Sequence, residues 1–304
     1  MIKKVLNKIN SPDTSVLLDK LGFKTKRIVI KYGGNAMMDD ELKESVADDI
    51  VQLKNMGLKP IIIHGGGPAV SNQMDKEGLE PEFIHGQRKT DEETLEIAEM
   101  VLSGKVNKEL VGLMNKRNGN AVGISGKDGT LVKSRKYKKE MRINGELEKV
   151  DLGRVGEVYH VDTTLIETLM ENDFIPVISP ICAGDEKGDF NVNADVLASE
   201  IASSLHADSL IYLTNVDGIR QKEDDATSRI KKISVDKAKS LIGNVISGGM
   251  IPKVESAIKA IENGVNTVRI IDGTKKHSLK YSFEKSSKYG TIIYTNKEKN
   301  SNEI

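Results

Sequence analysis

The chain is 304 residues long, enough for one large α/β unit or two lobes, and its composition, 38% hydrophobic, is that of a folded protein rather than a disordered one. Lys plus Arg and Asp plus Glu number 45 each, so no global field draws the chain toward nucleic acid or an anionic membrane. Cys182 is the sole cysteine, which excludes an intrachain disulfide and fits a reducing cytoplasm, and no apolar run of leader or membrane-spanning character is present.

Taken in chain order, residues 1–26 predict an N-terminal extension, helical over the stripe Ile2, Val5, Leu6 and Ile9 until Asn10-Ser11-Pro12-Asp13 interrupts it. A buried strand is expected over 27–31, followed by the turn Tyr32-Gly33-Gly34-Asn35. A helix over 40–56 aligns Leu42, Val46, Ile50 and Leu53 and stops at Gly57; a second strand over 60–64 leads into His64-Gly65-Gly66-Gly67-Pro68. Residues 82–89 and 129–161 carry charge, glycine and β-branched residues with little helical period, so hairpins near one end of the sheet are expected there. The basic run 133–139 lies in the second of these and reads as a solvated hairpin, since Tyr137 is its single aromatic. Further strands are expected over 121–125, 174–179, 209–214 and 267–271. A helix over 192–205 carries Val196, Leu197, Ile201 and Leu205. Such alternation predicts a mainly parallel sheet covered on both faces, with lobes at 27–206 and 207–304 and a polar tail over 297–304.

Ligands of a parallel sheet bind beyond the carboxyl ends of its strands, where Gly33, Gly34 and Gly65 fall. The backbone N–H groups of His64-Gly65-Gly66-Gly67, ahead of a helix beginning near Pro68, can receive an anion, although a triple glycine alone is equally an ordinary tight turn. No Lys-Ser or Lys-Thr follows at Walker A spacing, and the dinucleotide fingerprint is absent. Lys31 ends an apolar strand over this crevice. Lys253, in Gly248-Gly249-Met250-Ile251-Pro252-Lys253, sits near a helix N-terminus, where a cation is disfavoured unless an anion joins it. Two lysines from opposite sides would supply the positive charge that phosphoryl transfer requires. Asp195 reads either as a helix cap or as a site carboxylate, and its neighbours Asn191 and Asn193 suit the carboxylate and amide groups of a small substrate. Arg88 offers a bidentate fork. The five histidines lack metal-ligand spacing, so no protein-held metal is expected, and no Ser-His-Asp or Cys-His arrangement is found.

Together these residues resemble the amino acid kinase family, over about residues 27–294, and within it the branch that phosphorylates N-acetyl-L-glutamate. The most specific stretch is Arg88-Lys89-Thr90-Asp91-Glu92-Glu93-Thr94-Leu95, continuing through Ser103-Gly104-Lys105-Val106-Asn107-Lys108, with Asp151-Leu152-Gly153-Arg154-Val155-Gly156 and the Lys253 turn. The resemblance implies a three-layer αβα sandwich around a mainly parallel, roughly eight-stranded sheet. It also implies transfer of the γ-phosphoryl of ATP, with Mg²⁺ bound through the nucleotide, to the side-chain carboxylate in arginine biosynthesis. Lys31 and Lys253 would stabilise the transition state and Asp195 would orient them. Gly66 and Gly67 would support the acceptor and the phosphate, with Gly33, Gly34 and Gly65 also at the phosphate, while Arg88, Asn191 and Asn193 would hold the substrate. The nucleotide would lie on the second lobe, near Thr214, Asn215, Asp217, Gly218, Ile219, Val245, Ile246, Ser247 and Gly249. A homodimer through the first lobe is implied, with residues 1–26 as the segment that would join dimers into a hexamer. Small-molecule substrates, and neither nucleic acid nor membrane, are the expected partners. Asn215 stands where the family pattern has Asp, and Ser282 and Lys288 stand where arginine-inhibited members have Glu and Gly, so arginine would lose a carboxylate partner. The same phosphate machinery would serve an aminoadipate-derivative or carbamate kinase, and a non-catalytic amino-acid or nucleotide sensor is the alternative of another class.

Overall fold

The computed structural model describes residues 25–84, 86–143, 146–185, 188–222, 224–284 and 289–295. The expected N-terminal helix, Lys288 and the polar tail lie outside the described residues. In chain order the elements are β1 (Arg27–Tyr32), α1 (Asp40–Asn55), β2 (Lys59–His64), α2 (Gly67–Lys76), the small hairpin β3 (Phe83–Ile84) and β4 (Gln87–Arg88), α3 (Glu92–Glu99), a π-helical turn (Met100–Val106) and α4 (Asn107–Asn115). Then come β5 (Ala121–Gly126), β6 (Val132–Ile143), β7 (Glu146–Val161), α5 (Thr164–Glu171), β8 (Ile175–Asp185), β9 (Gly188–Val192), α6 (Ala194–Ser204) and β10 (Ser209–Thr214). The chain continues through β11 (Lys232–Ser234), α7 (Val235–Leu241), α8 (Met250–Glu262), β12 (Thr267–Asp272), α9 (Ser278–Glu284) and β13 (Thr291–Tyr294).

Eleven strands form one sheet in the order β11-β13-β12-β10-β1-β2-β8-β6-β7-β9, with β5 also on β8. β12, β10, β1, β2, β8 and β5 run parallel, whereas β13 is antiparallel to β12 and β11 runs alongside β13 in its direction. Six of these, β1, β2, β5, β8, β10 and β12, are the strands expected from the apolar runs; the short strands β11 and β13 are not among them, and β6, β7 and β9 take the sheet beyond the roughly eight strands that the resemblance implies. β8 is longer than its apolar run predicts because it pairs twice, with β2 and β5 through its first half and with β6 and β9 through its second. The basic segment lies in the β6–β7 ribbon, where Lys136 pairs with Asp151 at 2.7 Å and Arg135 with Glu157 at 3.2 Å, both largely in solvent, as a solvated hairpin should be.

Parallel strands buried on both faces read as unbroken apolar runs, and β1 is buried from Ile28 through Tyr32. Its alternate residues enter two cores. Ile28, Ile30 and Tyr32 pack with α1, α2, α3, α4 and α9, whereas Val29 packs with α5, α6, α7 and α8. The result is three layers, helix on sheet on helix. Local signals start and stop the helices: Asp39 caps α1 by accepting from Leu42 N at 3.0 Å, and Gly57, at φ +87°, follows its end. α6 begins two residues later than its apolar period suggests, because 188–192 pairs as β9 and Asn193 takes the cap.

From β1 the chain crosses to β2 through α1 on one face, and from β10 it crosses the other way to β12 through α7 and α8 on the opposite face. The switch point therefore falls between β1 and β10, and the crevice beyond their carboxyl ends is where this topology places a ligand. Lys31 has the facing of Val29, so its side chain leaves β1 on the side of α6 and α8.

Candidate active site

Three elements from distant parts of the chain meet at that crevice. Lys31 Nζ lies 2.9 Å from Asp195 Oδ1, and Lys253 Nζ lies 2.6 Å from Oδ2, so one carboxylate bridges two ammonium groups. Lys31 crosses directly over Gly33: a Cβ there would lie 2.7 Å from Nζ, so a side chain at this position would displace the ammonium from where it stands. Lys253 occupies the first turn of α8, a turn with no acidic residue and no side-chain cap, where the macrodipole opposes a cation. Asp195 compensates, and an anionic ligand would add to that.

The cap-or-site ambiguity at Asp195 resolves through its neighbour. Asn193 Oδ1 accepts from Asp195 N at 2.8 Å and Val196 N at 3.3 Å, so the asparagine caps α6 and the aspartate carboxylate is left for the lysines. Burial alone would push this carboxyl up, but Lys31 and then Lys253 outweigh it and hold it below the usual carboxylate range. It is an anion, not a proton acceptor, at neutral pH.

Opposite the lysines, Gly66 adopts φ +154° and a Cβ there would lie 2.6 Å from Leu102 Cδ2. Gly67 then opens α2 with Pro68 behind it and no side-chain cap, leaving first-turn N–H groups for an anion. Arg88 closes the far end. Its Nη2 donates to Ser71 Oγ at 2.7 Å and Gly67 O at 3.0 Å, Nη1 lies 3.2 Å from Met74 Sδ, and the guanidinium sits 4.7 Å from the Phe83 ring centroid. Among the described residues no carboxylate pairs with it, and burial lowers its pKa from the usual value. A cation so enclosed, with Asp75 acting on it only from beyond ion-pair contact, suits a ligand carboxylate.

Lys31, Gly34, Gly65, Gly66, Gly67, Arg88, Asn191, Asn193 and Asp195 line one cavity of about 240 Å³. A larger cavity of about 540 Å³ lies behind the glycine turn between α1, α2 and the π turn. It shares only Gly66 with the first and touches none of Lys31, Lys253 and Asp195, so the smaller cavity is the one bordered by Lys31 and the bridging carboxylate.

The residues expected at a nucleotide fall into two kinds. Asn215, Ser247 and Gly249 are exposed and Val245 half-buried, whereas Ile219 and Ile246 are buried in the core and shape the loops from below. Thr214 ends β10 with its hydroxyl 3.2 Å from Asn215 Oδ1. Gly218, at φ +128°, passes against Thr291, whose hydroxyl accepts from Ile219 N at 2.8 Å. Asp217 is held by Arg220 at 3.0 Å, and Arg229 stands 4.0 Å away. Those two arginines, like Ser71, Met74 and Phe83 around Arg88, carry no local sequence signal beyond their residue type. Ser282 is buried with its hydroxyl donating to Leu279 O at 2.7 Å, so it offers no carboxylate to a ligand. His277 and Asp49, 2.8 Å apart with Asp48 nearby, form an acid–histidine group that sequence spacing did not foretell. Asp49 also accepts from Lys280 N at 3.1 Å and so ties the start of α9 to α1.

A family model described as the amino acid kinase family matches residues 26–272. The acetylglutamate kinase of Methanobrevibacter smithii is 46% identical over 289 residues, covering 93% of this chain and 99% of that protein. The acetylglutamate kinase of Aquifex aeolicus is 50% identical over 265 residues, covering 84% and 88%. Among solved structures, N-acetylglutamate synthase from Neisseria gonorrhoeae complexed with coenzyme A and N-acetyl-glutamate superposes with a TM-score of 0.74 at 23% identity, over 93% of this chain and 62% of that one. Carbamate kinase from Giardia lamblia bound to AMP-PNP superposes with a TM-score of 0.62 at 18% identity, over 89% and 98%. At these identities the two structures share the fold. Among the described residues no helix is long and apolar enough to cross a membrane.

Proposed function

The chain belongs to the amino acid kinase family, and from that premise we propose that it transfers the γ-phosphoryl of ATP to the side-chain carboxylate of N-acetyl-L-glutamate, giving N-acetyl-L-glutamyl 5-phosphate and ADP in arginine biosynthesis. The observation that carries this reading is the pairing of two lysines bridged by Asp195 with an enclosed Arg88 that makes no ion pair among the described residues, in a chain that is 46% and 50% identical to two acetylglutamate kinases.

The chemistry explains what the site contains. A carboxylate acceptor, with a pKa near 4, is already ionised at neutral pH and needs no general base. One of its oxygens forms the new bond to the γ-phosphorus as the bond to the ADP oxygen breaks, and the protein's task is to position the partners and neutralise charge. Lys31 and Lys253 face the migrating group from two sides, and Asp195 holds them without competing for a proton. Gly66 and Gly67 offer backbone N–H groups, and Gly33, Gly34 and Gly65 keep the floor open. Arg88 holds the substrate's own carboxylate and Asn191, with Asn193 beside it, its amide. The nucleotide lies over the lobe 207–304, beyond Asn215, Ser247 and Gly249, while the lobe 27–206 carries the amino acid. Both oxygens of Asp195 are taken by ammonium groups, so this carboxylate does not fit a protein-held metal ion; Mg²⁺ would arrive on the nucleotide's phosphates and screen their charge. A cytoplasmic homodimer is our proposed working unit, with Met100, 53% exposed at the start of the π turn that follows α3, as apolar surface for a second copy. Residues 1–26 are the proposed link between dimers.

Coupled ADP release with N-acetyl-L-glutamate, carbamate, aspartate, UMP and an aminoadipate derivative tests the reading. N-acetyl-L-glutamate is expected to exceed the others in kcat/KM by about 10²-fold or more, because a site built around polar groups rejects an acceptor that leaves them unpaired. Preference for another acceptor, or no ADP release with any, would overturn it. Arg88→Ala is expected to raise KM for the amino acid about ten- to a hundredfold with kcat within a few-fold, the cost of one charge-assisted contact made equally in ground and transition states. A normal KM would remove the carboxylate clamp.

A further inference from the structure

We propose that His64 and Asn107 are positioning residues that aim the Gly66 N–H at the migrating phosphoryl group, an inference that rests on the phosphoryl-transfer reading above. His64 is the last residue of β2 and is fully buried immediately before the glycine turn. Its Nδ1 lies 2.8 Å from Gly65 O, and its Nε2 lies 3.1 Å from Asn107 Nδ2. The orientation of the asparagine amide is fixed by its other partners: one Nδ2 hydrogen goes to Val177 O at 2.9 Å, with Ile124 O a longer contact at 3.3 Å, which leaves the second for Nε2, while Oδ1 accepts from Lys108 Nζ at 3.2 Å. An amide N–H only donates, so Nε2 accepts, the ring proton sits on Nδ1, and Nδ1–H donates to Gly65 O. Burial lowers the imidazole pKa to about 4, so the ring is neutral at working pH and this tautomer persists.

The consequence follows from the peptide bond. In a planar trans peptide the carbonyl of Gly65 and the N–H of Gly66 point in opposite directions. With the carbonyl turned inward to the buried imidazole, the N–H faces outward, and Gly65, Gly66 and Gly67 line the cavity on that side. The π turn supplies the supports. Its extra residue puts Leu102 and Asn107, five apart and joined by Asn107 N–H to Leu102 O, on one face, where Leu102 backs Gly66 and Asn107 backs His64.

Two substitutions separate positioning from packing. An asparagine amide nitrogen reaches about where Nδ1 stands, and a glutamine amide group reaches about where Nε2 stands, so His64→Asn keeps a donor for Gly65 O and His64→Gln does not. His64→Gln is expected to lower kcat about ten- to a hundredfold with KM for N-acetyl-L-glutamate within about threefold, while His64→Asn retains at least about tenfold more kcat than His64→Gln. Asn107→Ala should fall with His64→Gln. In the wild-type enzyme, ¹⁵N NMR of the ring should show Nδ1 protonated and Nε2 bare from pH 5 to pH 9. Equal kcat in the two histidine variants, a loss that only tracks melting temperature, or an Nε2-protonated ring would overturn the inference; if the variants do not fold, the wild-type tautomer decides. A wild-type protein that releases no ADP with N-acetyl-L-glutamate would instead overturn the underlying reading.

Discussion

Lys31→Ala and Lys253→Ala are each expected to lower kcat by about 10²-fold or more while moving KM for the amino-acid substrate by less than about threefold. Phosphoryl transfer places growing charge on oxygens that both ammonium groups can reach, so their contribution is larger in the transition state than in the bound substrate. Each ammonium has three donors and gives one to Asp195, which leaves two for the phosphoryl group. Stability should respond differently. Removing one lysine leaves a balanced ion pair in place of one carboxylate between two cations, so the melting temperature is expected to stay level or rise. Steady-state kinetics beside thermal melts separate the two effects, and unaltered turnover in both variants would remove the assigned role.

Asp195→Asn should be at least as costly, with kcat down by about 10²- to 10³-fold, although the aspartate donates nothing to the reaction. Without the carboxylate two cations face one another with no shared anchor, and misplacing a charged group by about 1 Å is worth about 10²-fold. Adding Lys253→Ala to Asp195→Asn should then cost little more, because groups acting as a unit lose their effects together. Full additivity would contradict the bridge. Unlike the lysine variants, Asp195→Asn is expected to destabilise the fold by about 2 to 3 kcal/mol, less than a fully buried pair because Lys253 retains some solvent.

Much of this was legible before any coordinates. Apolar runs ending in Lys31, His64 and Thr214 declare strands, and glycines after two of them, equally readable as tight turns, fall along one cavity with Lys31 and Asp195. What sequence could not declare was anything set by pairing or by a neighbour's side chain. Cys182, for example, continues β8 beyond the expected end because β9 pairs with it at Phe190 and β5 at Gly126, with β6 joining at the next residue, Ala183. Asp195 and Asn193 are both good caps by residue type, and only the hydrogen bonds assign the cap to one and the lysines to the other. Asn107 sits among Val106, Leu110 and Met114 on an apolar face, where a polar residue signals a buried partner, but its partner His64 is 43 positions away. The π turn escapes detection because one extra residue barely disturbs a period of 3.6.

The most direct test is a crystal structure with N-acetyl-L-glutamate, ADP and aluminium fluoride in the place of the migrating group. The account predicts Lys31 Nζ and Lys253 Nζ both at about 2.7 to 2.9 Å from the fluoride, still joined through Asp195. Either ammonium standing beyond the reach of an ion pair, about 4 Å, would contradict it.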